Sequence, residues 1–132
     1  LFTAEEVYAC NLGDSRIYRL RGRVLTQMSV DDSEPVPEGA GHGKPPLTQY
    51  LGVFPDELTL VPHLVKSALK PGDFYLLCSD GLTDLLPNVM IADCIRQHTS
   101  VRQITEHLLR AALQNGGRDN VSVIGIKINE LR

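Results

Sequence analysis

A chain of 132 residues, 42% hydrophobic and 22% charged, has the makeup of one globular domain or part of one and not of a disordered tail. Its formal net charge of −3 offers no concentrated positive field, which argues against nucleic acid or an anionic membrane as partner. Three cysteines, Cys10, Cys78 and Cys94, without C-x-x-C spacing read as reduced thiols of a cytoplasmic protein. Cys10 and Cys78 lie in apolar runs and read as small core hydrophobes. No apolar stretch nears the ~20 residues that span a bilayer, and no signal peptide is visible. The chain opens on Leu1-Phe2-Thr3 without a Met, so a piece of a longer protein is expected.

In chain order, Glu6 to Leu12, Arg16 to Leu20 and Arg23 to Gln27 read as strands of a meander, parted by turns at Gly13-Asp14-Ser15 and Arg21-Gly22. Glu34 to Pro46, rich in Pro and Gly, reads as an exposed loop of the kind that forms functional flaps. Leu58 to Leu64 resumes strand, with Pro62 hinting at a sheet edge. After the Lys70-Pro71-Gly72-Asp73 turn, Phe74 to Ser79 is apolar on both faces, as in a covered central strand. A helix opens near Pro87 and buries Ile91, Cys94 and Ile95. A second has Ser100 as N-cap with Gln103 three residues on, an apolar stripe of Val101, Ile104, Leu108, Ala111 and Ala112, and Gly116-Gly117 as its stop. Val121 to Ile128 closes as a strand. Strands, a helix pair and a final strand give an α+β class with mostly antiparallel sheet.

Two carboxylates stand at strand ends. Asp80 closes the run Phe74 to Ser79, and Asp119 opens the run Val121 to Ile128. Strands that each end in an acid can bring both to one sheet edge, where rigid oxygen ligands suit Mg²⁺ or Mn²⁺. Taken singly, Ser79-Asp80-Gly81 is ordinary turn chemistry, and Asp119 a loop residue after a helix stop.

Four segments in order resemble the metal-dependent protein Ser/Thr phosphatases, the PPM or type-2C family. Asn11-Leu12-Gly13-Asp14-Ser15-Arg16-Ile17-Tyr18 resembles its NxGDSRxY hairpin, and Leu47-Thr48-Gln49-Tyr50-Leu51-Gly52 its L-T-x-x-L-G segment. Leu76 to Asp84 resembles LLCSDGLTD, and Gly116 to Val123 resembles GGxDNxTV. The resemblance implies an α-β-β-α sandwich of which residues 1–132 are the C-terminal portion, the N-terminal metal-binding portion being absent. It implies hydrolysis of phosphoserine and phosphothreonine in protein substrates by a metal-activated water, with Mg²⁺ or Mn²⁺ held in part by Asp80 and Asp119. Gly81 would keep backbone close to the metal loop, and the Asn120 amide would orient Asp119. No residue of the chain is assigned as catalytic acid or base.

The chain also departs from the pattern. The family's bridging aspartate, in a D-G-M-G-G-type motif, and its phosphate-binding arginine lie upstream of the NxGDSR segment and have no counterpart here. Met28 stands where the family's L-T-x-D-H-S segment has an aspartate that helps hold a third metal; Asp31 or Asp32 could substitute. The chain by itself is therefore expected to bind metal weakly and hydrolyse little. A catalytically silent module that assembles with a partner is the competing reading, and an uncovered sheet face predicts self-association. Asp14 and Arg16 read as a hydrogen-bonded turn, Asp84 as a hydrogen-bonding residue beyond the metal loop, and Arg19, Arg21 and Arg23 as a solvated strand face. His42 could protonate a leaving alkoxide but reads better as a loop histidine; His63, His98 and His107 show no paired metal spacing.

Overall fold

The computed structural model describes residues 1–35, 44–54 and 56–130. His42 lies outside them, as do eight residues of the proposed flap. The elements run β1 (Glu6–Asn11), β2 (Arg16–Arg21), β3 (Val24–Gln27), β4 (His63–Ala68), β5 (Phe74–Cys78), α1 (Asp80–Thr83), α2 (Asn88–Gln97), α3 (Val101–Gln114) and β6 (Val123–Lys127). All the pairings are antiparallel, in a four-stranded sheet of order β3-β2-β5-β6 and a two-stranded sheet of β1 and β4.

Alternation along the central strands builds two cores. Tyr18 and Leu20 of β2, and Phe74, Leu76 and Cys78 of β5, point to the helices, where Leu82, Leu86, Ile91, Ile95, Ile104, Leu108 and Ala112 meet them. Their neighbours Ile17 and Tyr75 point the other way, towards Val7 and Ala9 of β1, Val65 of β4, and Met28 and Leu69. β5 is apolar on both faces because both faces are covered. α3 lies so close to β6 that a Cβ on Gly125 would stand 2.9 Å from Phe74 Cζ and from Val101 Cγ1. Ser100 Oγ accepts the Gln103 amide at 3.1 Å and caps α3.

Several expectations are corrected. β1 does not join a meander; it leaves β2 for the other sheet and pairs with β4. The strand expected at Leu58 to Leu64 begins at His63, after Pro62, which has no N–H to give a ladder. Ahead of it the Gln49 side chain plays strand partner, accepting from Val61 N at 2.7 Å and donating to Val61 O at 3.3 Å. Asp80 and Gly81, placed in a metal loop by the resemblance, open the short helix α1 of residues 80–83. Cys10 is exposed on β1, not in the core, whereas Cys78 is buried. Arg19 and Arg21 serve inside the molecule: Arg19 donates to Ser67 Oγ, and Arg21 grips the buried Asp73 with two bonds of 2.7 Å.

Candidate metal centre

The β1–β2 corner is built by side chains that imitate backbone. Asn11 donates from Nδ2 to Val30 O at 2.6 Å and accepts from Val30 N at 3.2 Å. Gly13, at φ 98°, donates its amide to Asp32 Oδ2 at 2.9 Å and accepts from Asp32 N at 3.0 Å. A residue with Cβ would be strained at that φ. Asp32 is 6% exposed, and its Oδ1 faces Gln49 Nε2 at 2.9 Å and His63 Nε2 at 2.7 Å. Burial alone would raise its pKa; the Gly13 amide and the His63 and Gln49 side chains outweigh this and hold the carboxyl below the usual range. The corner thus aims Asp14 at the end of β5.

There a cavity of about 280 Å³ is lined by Asp14, Arg16, Asp31, Ser33, Glu34, Lys44, Pro45, Asp80, Thr83 and Asp84. Arg16 donates two hydrogen bonds to Asp31 Oδ2, from Nε at 2.9 Å and from Nη2 at 2.7 Å, in keeping with a structural role for Arg16. Asp14 does otherwise. No donor is aligned on its buried Oδ2, and its counter-charge is Lys44 Nζ at 2.7 Å. The same ammonium also pairs with Asp80 Oδ2. Asp80 Oδ1 accepts its neighbour's amide, Gly81 N, at 2.9 Å, and Asp84 N donates to Asp80 O at 2.8 Å.

The loop that follows Asp119 is tied to the Asp80 segment through the backbone. Ser79 N donates to Ser122 O at 3.0 Å, Ser79 Oγ accepts from Ser122 N at 3.0 Å and donates to Asn120 O at 3.2 Å. Gly81 is buried against that carbonyl so tightly that a Cβ would stand 2.3 Å from Asn120 O. Residues 79–81 and 120–122 therefore run side by side. Asp119 Oδ1 accepts Asn120 N at 2.7 Å, so the backbone amide orients this carboxylate where the side-chain amide was expected. Asp31, on the cavity wall, is engaged by Arg16 and by Gln27 Nε2, and Asp32 by the corner it supports. Met28, 7% exposed, packs in the core between the sheets. Among the described residues no three His, Cys, Asp or Glu side chains form a metal-holding group. The carboxylates of Asp14 and Asp80 both face the Lys44 ammonium, so this edge sets hard oxygen donors around a positive charge.

Asp14, expected in a hydrogen-bonded turn, lines the cavity instead, beside Lys44, which the sequence did not single out. Asp14 could have been suspected from its place beside a turn glycine and two residues before an arginine that is committed elsewhere. Lys44 carried no signal, because its contact depends on where the loop folds.

The described residues form two antiparallel sheets with helices packed on one of them, and Asp14 and Asp80 stand together at a sheet edge. Residues 47–121 match the family model of protein phosphatase 2C, and the chain belongs to that family. It is 33% identical to the serine/threonine protein phosphatase PstP of Mycobacterium tuberculosis over 94% of this chain and 25% of that protein. It is also 33% identical to the protein phosphatase PhpP of Streptococcus pneumoniae, over 96% of this chain and 54% of that one. The PstP catalytic domain solved in complex with two manganese ions superposes with a TM-score of 0.81 at 32% identity, covering 98% of this chain and 56% of the solved one. The chain spans about a quarter to a half of the length of these relatives. Among the described residues no helix is long and apolar enough to cross a membrane.

Proposed function

We propose that the protein carrying this chain is a metal-dependent phosphatase that removes phosphate from phosphoserine and phosphothreonine in protein substrates, acting in signalling opposite a kinase. The observation that carries this is the packing of the Asp80 loop on the Asp119 loop through Gly81 and Ser79, within a chain of the protein phosphatase 2C family. Asp80 and Asp119 would hold Mg²⁺ or Mn²⁺, and PstP, whose catalytic domain binds two manganese ions, supports that choice. When bound, such ions lower the pKa of water and neutralise charge on the phosphoryl oxygens.

The chain's own residues prepare the ligands. Gly81 N–H binds Asp80 Oδ1 while Asp80 Oδ2 faces the Lys44 ammonium, and Asn120 N–H binds Asp119 Oδ1. These bonds hold each carboxylate in one rotamer before a cation arrives, so less ordering remains to be done on binding. Gly81 and Asn120 are thus positioning residues. Of the two third-metal candidates Asp31 lines the cavity and Asp32 does not, but Arg16 and Gln27 already engage Asp31.

A second reading, a catalytically silent module, is favoured by one observation: the buried Met28 leaves no carboxylate where the family motif has one. The cavity's excess of acid and the paired loops weigh the other way. Three free cysteines support a cytoplasmic setting. Exposed Leu64 and Ile124, at 76% and 58%, support self-association of the isolated chain. The test is phosphate release from a phosphothreonine peptide by the full-length protein with and without Mn²⁺. Manganese-dependent release that Asp80→Asn and Asp119→Asn each cut at least ~100-fold is expected; full activity in either variant, or none in the parent, overturns the reading.

A further inference from the structure

We propose that Lys44 is a built-in counter-ion that competes with the divalent cation for Asp80, so that metal entry must displace its ammonium. The inference rests on the reading of Asp80 as a metal ligand. Lys44 Nζ lies 2.7 Å from Asp14 Oδ2 and is paired with Asp80 Oδ2, bridging carboxylates from two separate parts of the chain. It is not a loosely tethered charge. Pro45 and Pro46 stiffen the chain just after it, and the next residue is pinned: Glu34 N donates to Pro46 O at 3.0 Å, and Ser33 bridges Leu47. A short, stiff tether keeps the ammonium at high local concentration over the cavity.

Charge explains why the plug is reversible. The wall carries five carboxylates, Asp14, Asp31, Glu34, Asp80 and Asp84, against Lys44 and Arg16, and Arg16 is already spent on Asp31. One ammonium leaves that cavity markedly negative, so a doubly charged cation gains more there than Lys44 does. Among the described residues, the Lys44 ammonium at 2.7 Å is the counter-charge that Asp14 Oδ2 has. Lys44 is also 42% exposed, which gives the displaced ammonium a path to solvent. In metal-free protein Lys44 thus neutralises part of the acid charge, at the cost of a weaker apparent metal affinity.

Two measurements on the full-length protein test this without reference to turnover. Mn²⁺ titration by calorimetry should show Lys44→Gln binding about fivefold tighter than the parent, while Lys44→Arg, which keeps the charge, stays near it. Reductive methylation read by mass spectrometry should be slow at Lys44 in metal-free protein and rise severalfold with Mn²⁺, while the exposed Lys70 labels at a constant rate. Equal affinity in Lys44→Gln and the parent, or labelling of Lys44 indifferent to Mn²⁺, overturns the inference. Asp80→Asn separates the two claims. If it loses Mn²⁺ while Lys44→Gln matches the parent, only the counter-ion role falls; if it binds Mn²⁺ like the parent, the ligand reading falls and takes this one with it.

Discussion

Replacing Gly81 by alanine tests how the two acid-bearing loops are held together. The new methyl would sit 2.3 Å from Asn120 O, 3.0 Å from Asn120 C and 3.4 Å from Val121 Cγ2. A carbon needs about 3.3 Å from a carbonyl oxygen, so roughly 1 Å of movement is forced between α1 and the loop at 119–121. No flexible side chain can absorb it, because the opposing atoms are backbone. The carbonyl that must retreat accepts from Ser79 Oγ at 3.2 Å, and 1 Å more breaks that bond. Overpacking costs about 1–3 kcal/mol and the lost bond about 1 kcal/mol. The stiffer unfolded chain returns about 0.5–1 kcal/mol. A net loss of about 1.5–3 kcal/mol is expected, which lowers the urea midpoint by roughly 1 M with an unchanged slope. Mn²⁺ affinity should fall with it, since the Asp119 loop is what moves. Ser79→Ala is the control: it removes that hydrogen bond, and the one Ser79 Oγ accepts from Ser122 N, without the clash, and should cost about 1–2 kcal/mol. A Gly81→Ala protein as stable as the parent, with parental Mn²⁺ affinity, would refute the view that this contact sets the spacing of the two loops.

Three other outcomes follow from the structure. Asp73 is buried at the β4–β5 turn, where desolvation would raise its pKa but the Arg21 guanidinium and the Lys70 amide pull it below the ordinary carboxylate value. A depressed folded pKa means the stabilisation is whole above about pH 4 and drains away as pH falls through the folded value. Asp73→Asn should therefore cost about 2 kcal/mol at pH 7 by urea denaturation, and the gap to the parent should narrow as pH falls below about 4. Ser100→Ala removes the cap of α3 and should lower stability by about 1 kcal/mol, with far-ultraviolet dichroism otherwise unchanged. Burial pushes the Cys78 thiol up to about 11, whereas Cys10 is exposed, so a disulfide reagent at pH 8 should modify Cys10 in native protein and reach Cys78 only on unfolding.

Local pattern was enough for the elements and not for their partners. The apolar run Phe74 to Ser79 could only be a strand covered on both faces, and β5 is one. The cap at Ser100 and the glycines after Gln114 bound α3 because capping is chemistry among residues three or four apart. The placing of β1 was not legible. A hairpin and a crossing between sheets both need a turn at Gly13, and the choice lies with β4, more than fifty residues on, and with Asn11 and Asp32, which tie the corner to the segment at 30–32. Arg21 misled for the same reason: an arginine on an alternating strand looks solvated until the buried Asp73 is seen across the turn.

The site divides along the same line. Asp80 and Asp119 announce themselves because each stands at the end of an apolar run, where strand geometry delivers it to an edge. Asp14 has no such marker, yet it faces the same ammonium as Asp80 and has no aligned donor to satisfy it. A carboxylate in that state is costly unless a cation stays beside it. Asp31 shows the contrast, since Arg16 and Gln27 satisfy it fully and it needs nothing from outside. Electrostatic satisfaction, and not proximity to a motif, thus separates the acids of this cavity into those spent on the fold and those left to meet a cation. On that criterion Asp14→Asn should relieve the cavity and loosen Lys44, raising its methylation rate in metal-free protein severalfold; a rate unchanged from the parent would show that Asp80 alone holds the lysine.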